Sequence, residues 1–353
     1  MTDALSLDLT LIAAGILAIG VFMYVLLDGF DLGIGILYPF APAEHSRDLM
    51  MDSVAPVWDG NETWLVLGGT ALLAAFPIAY AVLLAAFYVP LMVMLIGLIF
   101  RGVCFEFRAQ GGPSKGWWSA GFFGGSLAAT FAQGVVLGTF IGGVPVENGQ
   151  YAGDGMAWAA PFPLLCGVGL VLGYALLGAG WTLMKTEGVT HDWAWSLLRP
   201  LTVGVLAVAV AVSVWTPFLH PWITARWFSW PGSLFVAPWP LLGLLCLGVL
   251  WYAQRRIHAR RTPVRPGPLF LKSWESVPFL ATMGLFLCSY AGLALTLWPY
   301  VIPPDISIYT AAAAPSAQKF VLVGLGVLVP VTIGYTAWSY WVFRGKVSGD
   351  AHY

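Results

Sequence analysis

Residues 58–108 read WDGNETW, then LVLGGTALLAAFPIAYAVLLAAFYVPLMVMLIGLIF, then RGVCFEFR. The middle of this stretch is apolar throughout, yet it is bounded by Asp59, Asn61, Glu62 and Arg101. A charged group at membrane depth is costly, and those that occur usually face a proton, ion or substrate path. The stretch therefore predicts membrane-spanning helices with a polar site built into one end of them.

The rest of the chain agrees. Of 353 residues, 59% are hydrophobic and 9% are charged, against about 25% charged in an ordinary soluble domain. The fold class this implies is an all-α integral membrane protein. A net charge of −1 excludes a nucleic-acid binder, so the positions of the few charges carry the information. The N-terminal MTDALSLDLT lacks the basic region of a signal peptide, so the first apolar run is expected to remain as a span. Cys104, Cys166, Cys246 and Cys288 stand alone at wide spacing. With neither CxxC nor CxxCH, they read as packing residues rather than ligands.

A hydrocarbon core of ~30 Å takes about 20 helical residues. Runs of that kind predict nine spans near 9–27, 55–76, 79–100, 118–141, 161–184, 201–216, 238–253, 277–297 and 320–343. They form a single polytopic domain with a first four-helix group over about 9–141, a second over about 161–253, and remaining helices at about 277–343. Two four-helix groups and one peripheral helix would result. Only Pro77 and Ile78 separate the second and third spans, which predicts a tight hairpin there.

Loop charge sets the orientation. The connection 254–276 carries Arg255, Arg256, Arg260, Arg261, Arg265 and Lys272 against Glu275; Arg101, Arg108 and Lys115 follow the third span; Arg344 and Lys346 follow the last. With nine spans these regions share one side, opposite Asp3, Asp8, Glu147, Asp154 and Asp305. The positive-inside bias then puts the N-terminus outside and the C-terminus in the cytoplasm. The stretch 216–240, rich in Trp and Pro, reads as an outer-face loop with aromatic anchors. Spacings such as Gly121-x-x-x-Gly125, Gly138-x-x-x-Gly142 and Gly169-x-x-x-Gly173 permit close helix contact.

The second span must start early. From Thr63 to Phe76 it would measure only ~21 Å, too short to cross, so Trp58, Asp59, Asn61 and Glu62 belong to the helix. Counted from the Pro77 turn, Asp59 lies about 27 Å deep, at the cytoplasmic edge, with Gly97 level with it and Arg101 one turn beyond. Pairing of Asp59 or Glu62 with Arg101 is the geometric expectation. Asp28 and Asp31 sit one turn apart where the first span ends, among Gly29, Gly33 and Gly35. They read either as a solvated helix end or as the mouth of a proton path. Glu106 reads as a surface partner of Arg101 or Arg108.

His45, His191, His220, His258 and His352 all fall in expected loops or the tail, and the nine Met residues have no paired ligand. Membrane cytochromes hold haem through axial His or Met on spanning helices. The chain alone is therefore expected to bind no redox metal and to catalyse nothing.

GFDLGIG at 29–35, WDGNETW at 58–64, AAFP at 74–77, AFYVP at 86–90 and RGVCFEFR at 101–108 resemble subunit II of cytochrome bd-type quinol oxidases, the cyanide-insensitive branch included. These motifs crowd into the first 110 residues, while the hydropathy layout extends the likeness over the full length. The resemblance implies a heterodimer in the bacterial cytoplasmic (inner) membrane with a haem-bearing subunit I. That subunit would carry two haems b and a haem d or a variant, oxidise quinol and reduce dioxygen to water with protons from the cytoplasm. It further implies a haem-free second subunit that supplies packing surface and part of a proton path, with a structural quinone, a small accessory subunit and membrane lipid as further partners. Carried over, Asp28, Asp59 and Glu62 become candidate proton-path residues, and Trp58 and Arg101 candidates for lining the subunit interface or steadying haem propionates. An ion-coupled secondary transporter with an acidic site at the cytoplasmic edge is the alternative. Its charges should lie nearer the midplane.

Overall fold

The computed structural model describes residues 8–259 and 274–347. In chain order its helices are α1 (Leu9–Leu37), α2 (Glu44–Asp52), α3 (Trp58–Ala75), α4 (Pro77–Ala86), α5 (Tyr88–Ala109), α6 (Lys115–Gly142), α7 (Pro161–Lys185), α8 (Gly188–Trp215), α9 (Pro221–Phe228), α10 (Gly232–Val236), α11 (Pro238–Ala259), α12 (Val277–Leu297), α13 (Ile308–Ala311) and α14 (Pro315–Val342). Two small antiparallel ribbons, with Val146 opposite Tyr151 and Tyr300 opposite Ser307, and several three-residue 3-10 turns complete the described elements. Eight helices among the described residues are long and apolar enough to cross a membrane; α3, with Asp59 and Glu62 in its first turns, falls below that measure.

Local chemistry sets the helix ends. The Asp8 carboxylate accepts the Leu11 amide at 3.0 Å and caps α1, satisfying a donor the helix leaves free. Proline opens α4, α7 and α14 where its missing N–H costs nothing. The far end of α3 is closed from outside its own sequence: Ala313, ahead of α14, donates its amide to the Ala75 carbonyl at 2.9 Å.

Helices α1 and α7 form the centre. A Cβ on Gly33 would lie 1.8 Å from the Tyr174 carbonyl oxygen, and one on Gly178 would lie 2.5 Å from the Gly33 carbonyl carbon. Only bare backbone lets these two helices cross so closely, which is how small residues create contact where lipid offers no hydrophobic drive. Beside the crossing, Phe30 stacks on Trp181 at 4.2 Å and meets Phe279 edge-on at 5.5 Å. Around this pair α3 packs on α1 and α14, α5 on α6, α8 on α7, and α11 on α12. Among the expected glycine spacings, Gly125 meets the Gly97 carbonyl of α5, whereas Gly142 faces open space.

Three expectations are corrected. The tight hairpin at Pro77 and Ile78 is absent: both residues belong to the ten-residue helix α4, and the next long helix begins at Tyr88 instead of 79. Hydropathy could not separate α4 from its neighbours, since all are apolar. The first helix does not end at Leu27 but runs on to Leu37, carrying Asp28 and Asp31 inside it, both wholly buried. The stretch 216–240 is not a plain loop but holds α9 and α10, with Trp227 donating to Thr296 Oγ1 at 3.0 Å. Of the basic and acidic residues used for orientation, Asp3, Arg260, Arg261, Arg265 and Lys272 lie outside the described residues.

Candidate functional site: a buried ion cluster between α1, α3 and α5

The start of α5 moves the predicted geometry. Arg101 lies about 20 Å along α5 from Tyr88, and Glu62 about 20 Å along α3 from Ala75, so the two stand level. On α1, Asp28 comes up beside them. Arg101 Nη1 donates to Asp28 Oδ1 at 2.5 Å and Nη2 to Glu62 Oε2 at 2.8 Å. The Arg101 and Asp28 side chains are 0% exposed and Glu62 is 27% exposed. The expected pairing of Arg101 with Glu62 is present. The pairing with Asp59 is not: Asp59 sits on the exposed side of α3, one turn nearer its start than Thr63, which donates its hydroxyl to the Asp59 carbonyl.

Trp58 lies half-buried against the same residues. Its ring stacks on Phe105 at 4.9 Å with an interplanar angle of 5°, and the Arg101 guanidinium carbon sits 5.7 Å from its centroid. Arg101 is enclosed within the chain rather than displayed on its surface. Glu106 pairs with neither arginine and is exposed. Arg108 instead joins α2: it donates to Asp48 at 2.8 Å, Glu44 at 2.7 Å and Ser119 Oγ at 3.0 Å, with Lys115 2.9 Å from Glu44. The Lys115 hydrogen bond holds the Glu44 carboxyl below the usual carboxylate range.

A second network touches the cluster. Asn61 Nδ2 donates to Asp31 Oδ2 at 2.7 Å and to the Leu27 carbonyl at 3.2 Å, while Asn61 Oδ1 accepts the Tyr340 hydroxyl of α14 at 2.9 Å. Tyr340, Tyr24, Gln133 and Tyr174 escape sequence reasoning, because a tyrosine or glutamine in an apolar run gives no spacing signal. Gln133 links two of them, donating to Tyr24 at 2.8 Å and accepting from Tyr174 at 3.1 Å. These three line one wall of a cavity of about 610 Å³. The remaining walls are mostly apolar, among them Leu17, Trp64, Phe87, Leu170, Phe286 and Leu293, with Tyr80, Ser289 and Tyr290 between them.

Among the described residues no three His, Cys, Asp or Glu side chains gather as a metal site. The expectation that every histidine falls in a loop or the tail is not met. His45 lies on α2, His191 in the first turn of α8 and His258 near the end of α11, all close to helix ends. His220 caps the α6 end through the Gly142 carbonyl at 2.9 Å. His352 lies outside the described residues.

What this geometry can do is hold several ionisable oxygens beside one guanidinium, out of water. That suits charge storage and proton transfer more than bond-making chemistry.

Comparison with known proteins gives the cluster its context. The family profile described as cytochrome bd terminal oxidase subunit II matches residues 9–343. The chain is 27% identical to the cytochrome bd-I ubiquinol oxidase subunit 2 of Escherichia coli K12, covering 95% of this chain and 93% of that one. It is 29% identical to the cytochrome bd ubiquinol oxidase subunit 2 of Bacillus subtilis, covering 97% and 96%. The solved bd oxidase of Geobacillus thermodenitrificans has the same fold, with a TM-score of 0.74 at 17% identity over 96% of this chain and 99% of that one. With its apolar helices, this makes the chain a multi-pass protein of the bacterial inner membrane. The chain belongs to the cytochrome bd terminal oxidase subunit II family and is thus a subunit of an oxidoreductase complex.

Proposed function

We propose that this chain is the haem-free second subunit of a quinol:oxygen oxidoreductase, and that its α1–α3–α5 cluster takes up protons from the cytoplasm for dioxygen reduction. In this reading a haem-bearing subunit I holds two haems b and a haem d or variant, and oxidises quinol there. The haems supply the electron transfer and oxygen chemistry; this chain's residues hold and move protons. Among the described residues every histidine lies close to a helix end and none at the middle of a spanning helix, which supports assigning the haems to the partner. Counting α3 as a ninth span alongside the eight apolar helices is part of the proposal. So is an N-terminus outside with a C-terminus in the cytoplasm, which the basic residues Arg108, Lys115, Arg255, Arg256 and Lys346 favour. The first four-helix group would then be α1, α3, α5 and α6; the stretch 161–253 supplies only α7, α8 and α11, so a second group of four would have to extend past residue 253 to take in α12, with α14 beside α3.

The observation that carries the proposal is Arg101, wholly buried with Asp28 and Glu62 as ligands. Ionisable groups buried at membrane depth mark proton relays and ion paths. Asp59, exposed one turn towards the cytoplasmic end, would be the entrance; Glu62, part-exposed, the next station; Asp28 the innermost. Arg101 keeps the carboxylates ionisable without water, and Trp58 screens that charge and offers an aromatic face for the subunit interface. The cavity walled by Tyr24, Gln133 and Tyr174 has the size and lining for a structural quinone. A small accessory subunit would find apolar helix surface on which to sit.

Purification in mild detergent tests this directly. A haem-bearing partner should co-isolate and quinol-dependent oxygen uptake should follow; a colourless, partner-free homo-oligomer would refute it.

A further inference from the structure

Three exposed arginines stand together on α8 and α11 without an acid. Arg199 of α8 and Arg255 of α11 both hold their guanidiniums over the half-buried ring of Trp251, at 5.3 Å and 5.8 Å from its centroid. Arg256 lies over Tyr252 at 5.0 Å and donates its Nε to that hydroxyl at 2.8 Å. Among the described residues no carboxylate comes within ion-pair distance of any of the three. The acids at this end of the two helices are engaged elsewhere: Asp192 meets His191 at 3.2 Å, and Glu275 meets Lys346 at 2.9 Å. A guanidinium stacked on an aromatic face still has N–H groups along its edge for a second partner.

Bonds between the two helices hold this seat in place. The buried Gln254 donates its Nε2 to Thr202 Oγ1 at 3.0 Å, and the Trp195 indole donates to the Gln254 carbonyl at 3.4 Å. The apolar runs at 201–216 and 238–253 stop beside Arg199 and Arg255, which puts the arginines at headgroup depth, where tryptophan and tyrosine also settle. From that level exposed apolar side chains lead into the membrane on both helices. They are Val203, Leu206 and Val210 on the α8 side, and Leu245 and Leu241 on the α11 side, at spacings that keep each set on one helix face.

We propose that the seam between α8 and α11 binds an anionic phospholipid. Arg199 and Arg255 take its phosphate, and its acyl chains lie along the exposed apolar residues beyond them. The planar fork of a guanidinium matches a pair of phosphate oxygens, and basic pockets between spanning helices suit anionic headgroups. A zwitterionic lipid offers the same chains, but its own ammonium offsets the phosphate charge, so two unpaired cations favour it less. The site shares no residue with the α1–α3–α5 cluster and does not rest on the proton-uptake reading.

The test is native mass spectrometry of the delipidated complex, titrated in detergent micelles with dioleoyl phosphatidylglycerol or dioleoyl phosphatidylcholine. The wild type should retain a tightly held phosphatidylglycerol that phosphatidylcholine does not replace. Arg199→Gln/Arg255→Gln should hold it about thirty-fold more weakly, the loss expected on removing two cations beside an anionic headgroup. Arg199→Lys/Arg255→Lys, which keeps the charge and gives up the planar fork, should fall between the two. Equal retention in the wild type and the glutamine double variant overturns the proposal. Equal retention of the two lipids by the wild type overturns it even if that variant fails to assemble. Displacement of the phosphatidylglycerol by an equal concentration of inorganic phosphate would mark a site for free anions and overturn the lipid assignment.

Discussion

Replacing Arg101 by Gln should damage this protein more than any single change at its surface, and the structure says by how much. Arg101 and Asp28 are both wholly buried and 2.5 Å apart. Removing one partner of such a pair leaves the other charge uncompensated, at a cost of about 3–5 kcal/mol. Glu62 loses the same guanidinium but is 27% exposed, so water can take over part of its solvation and it adds little. Asp28→Asn alone should cost less, because Arg101 retains Glu62. In the double variant neither member of the Asp28–Arg101 pair is left without the other, so its loss should be smaller than the sum of the two single losses, with a coupling of about 1–3 kcal/mol. The assay is reversible unfolding of the detergent-purified complex, in a denaturant series for wild type, both single variants and the double variant. Strictly additive losses would refute the buried ion pair. So would an Arg101→Gln variant as stable as wild type.

Other consequences can be checked in the same preparations. Asp28→Asn should slow oxygen consumption on the order of 10²-fold with haem content unchanged, and Asp59→Asn, at an exposed entrance that water can bypass, should slow it less; the reverse ranking, measured by oxygen electrode, contradicts the order of stations. Gly33→Ala would put a Cβ 1.8 Å from the Tyr174 carbonyl oxygen, so it should abolish the folded complex on size exclusion, whereas Gly69→Ala, which meets nothing within 4 Å, should be silent. At Glu44, the Lys115 hydrogen bond lowers the folded-state carboxyl below its unfolded value. The stabilisation is therefore fully present above the unfolded value and fades as pH falls through the folded one. Glu44→Gln should accordingly lose that small increment at neutral pH, leave the stability at low pH nearly unchanged and so flatten the acid limb of a stability–pH curve, the change being small because the pair is largely exposed.

How much of this was legible beforehand varies by element. The membrane class, the position of α7 and the start of α3 ahead of Glu62 follow from apolar length alone, since each run must reach across the same thickness. The continuation of α1 did not, because Asp28, Gly29, Asp31 and Gly33 read locally as a helix end. Their partners lie far along the chain: Arg101 and Asn61 each bond one oxygen of an acid, and α7 fills the space beside the glycines. Sequence alone places Arg101 one turn too far out because α4, the ten apolar residues Pro77–Ala86, has the composition of a span and the length of a connector. Once α4 is in place, Arg101 meets Glu62 instead of passing it. Depth alone groups Asp59 with the cluster, three residues from Glu62, but Asp59 is exposed while Glu62 reaches the buried Arg101, and depth does not reveal which side of a helix is buried.

The central claim is that protons for oxygen reduction enter through this subunit's buried acids. The most direct measurement is proton uptake from the cytoplasmic face of the complex reconstituted in vesicles, followed with a pH-sensitive dye while quinol drives turnover. Uptake should fall in parallel with oxygen consumption in Asp28→Asn, at unchanged haem content. Undiminished uptake and turnover in that variant would contradict the account.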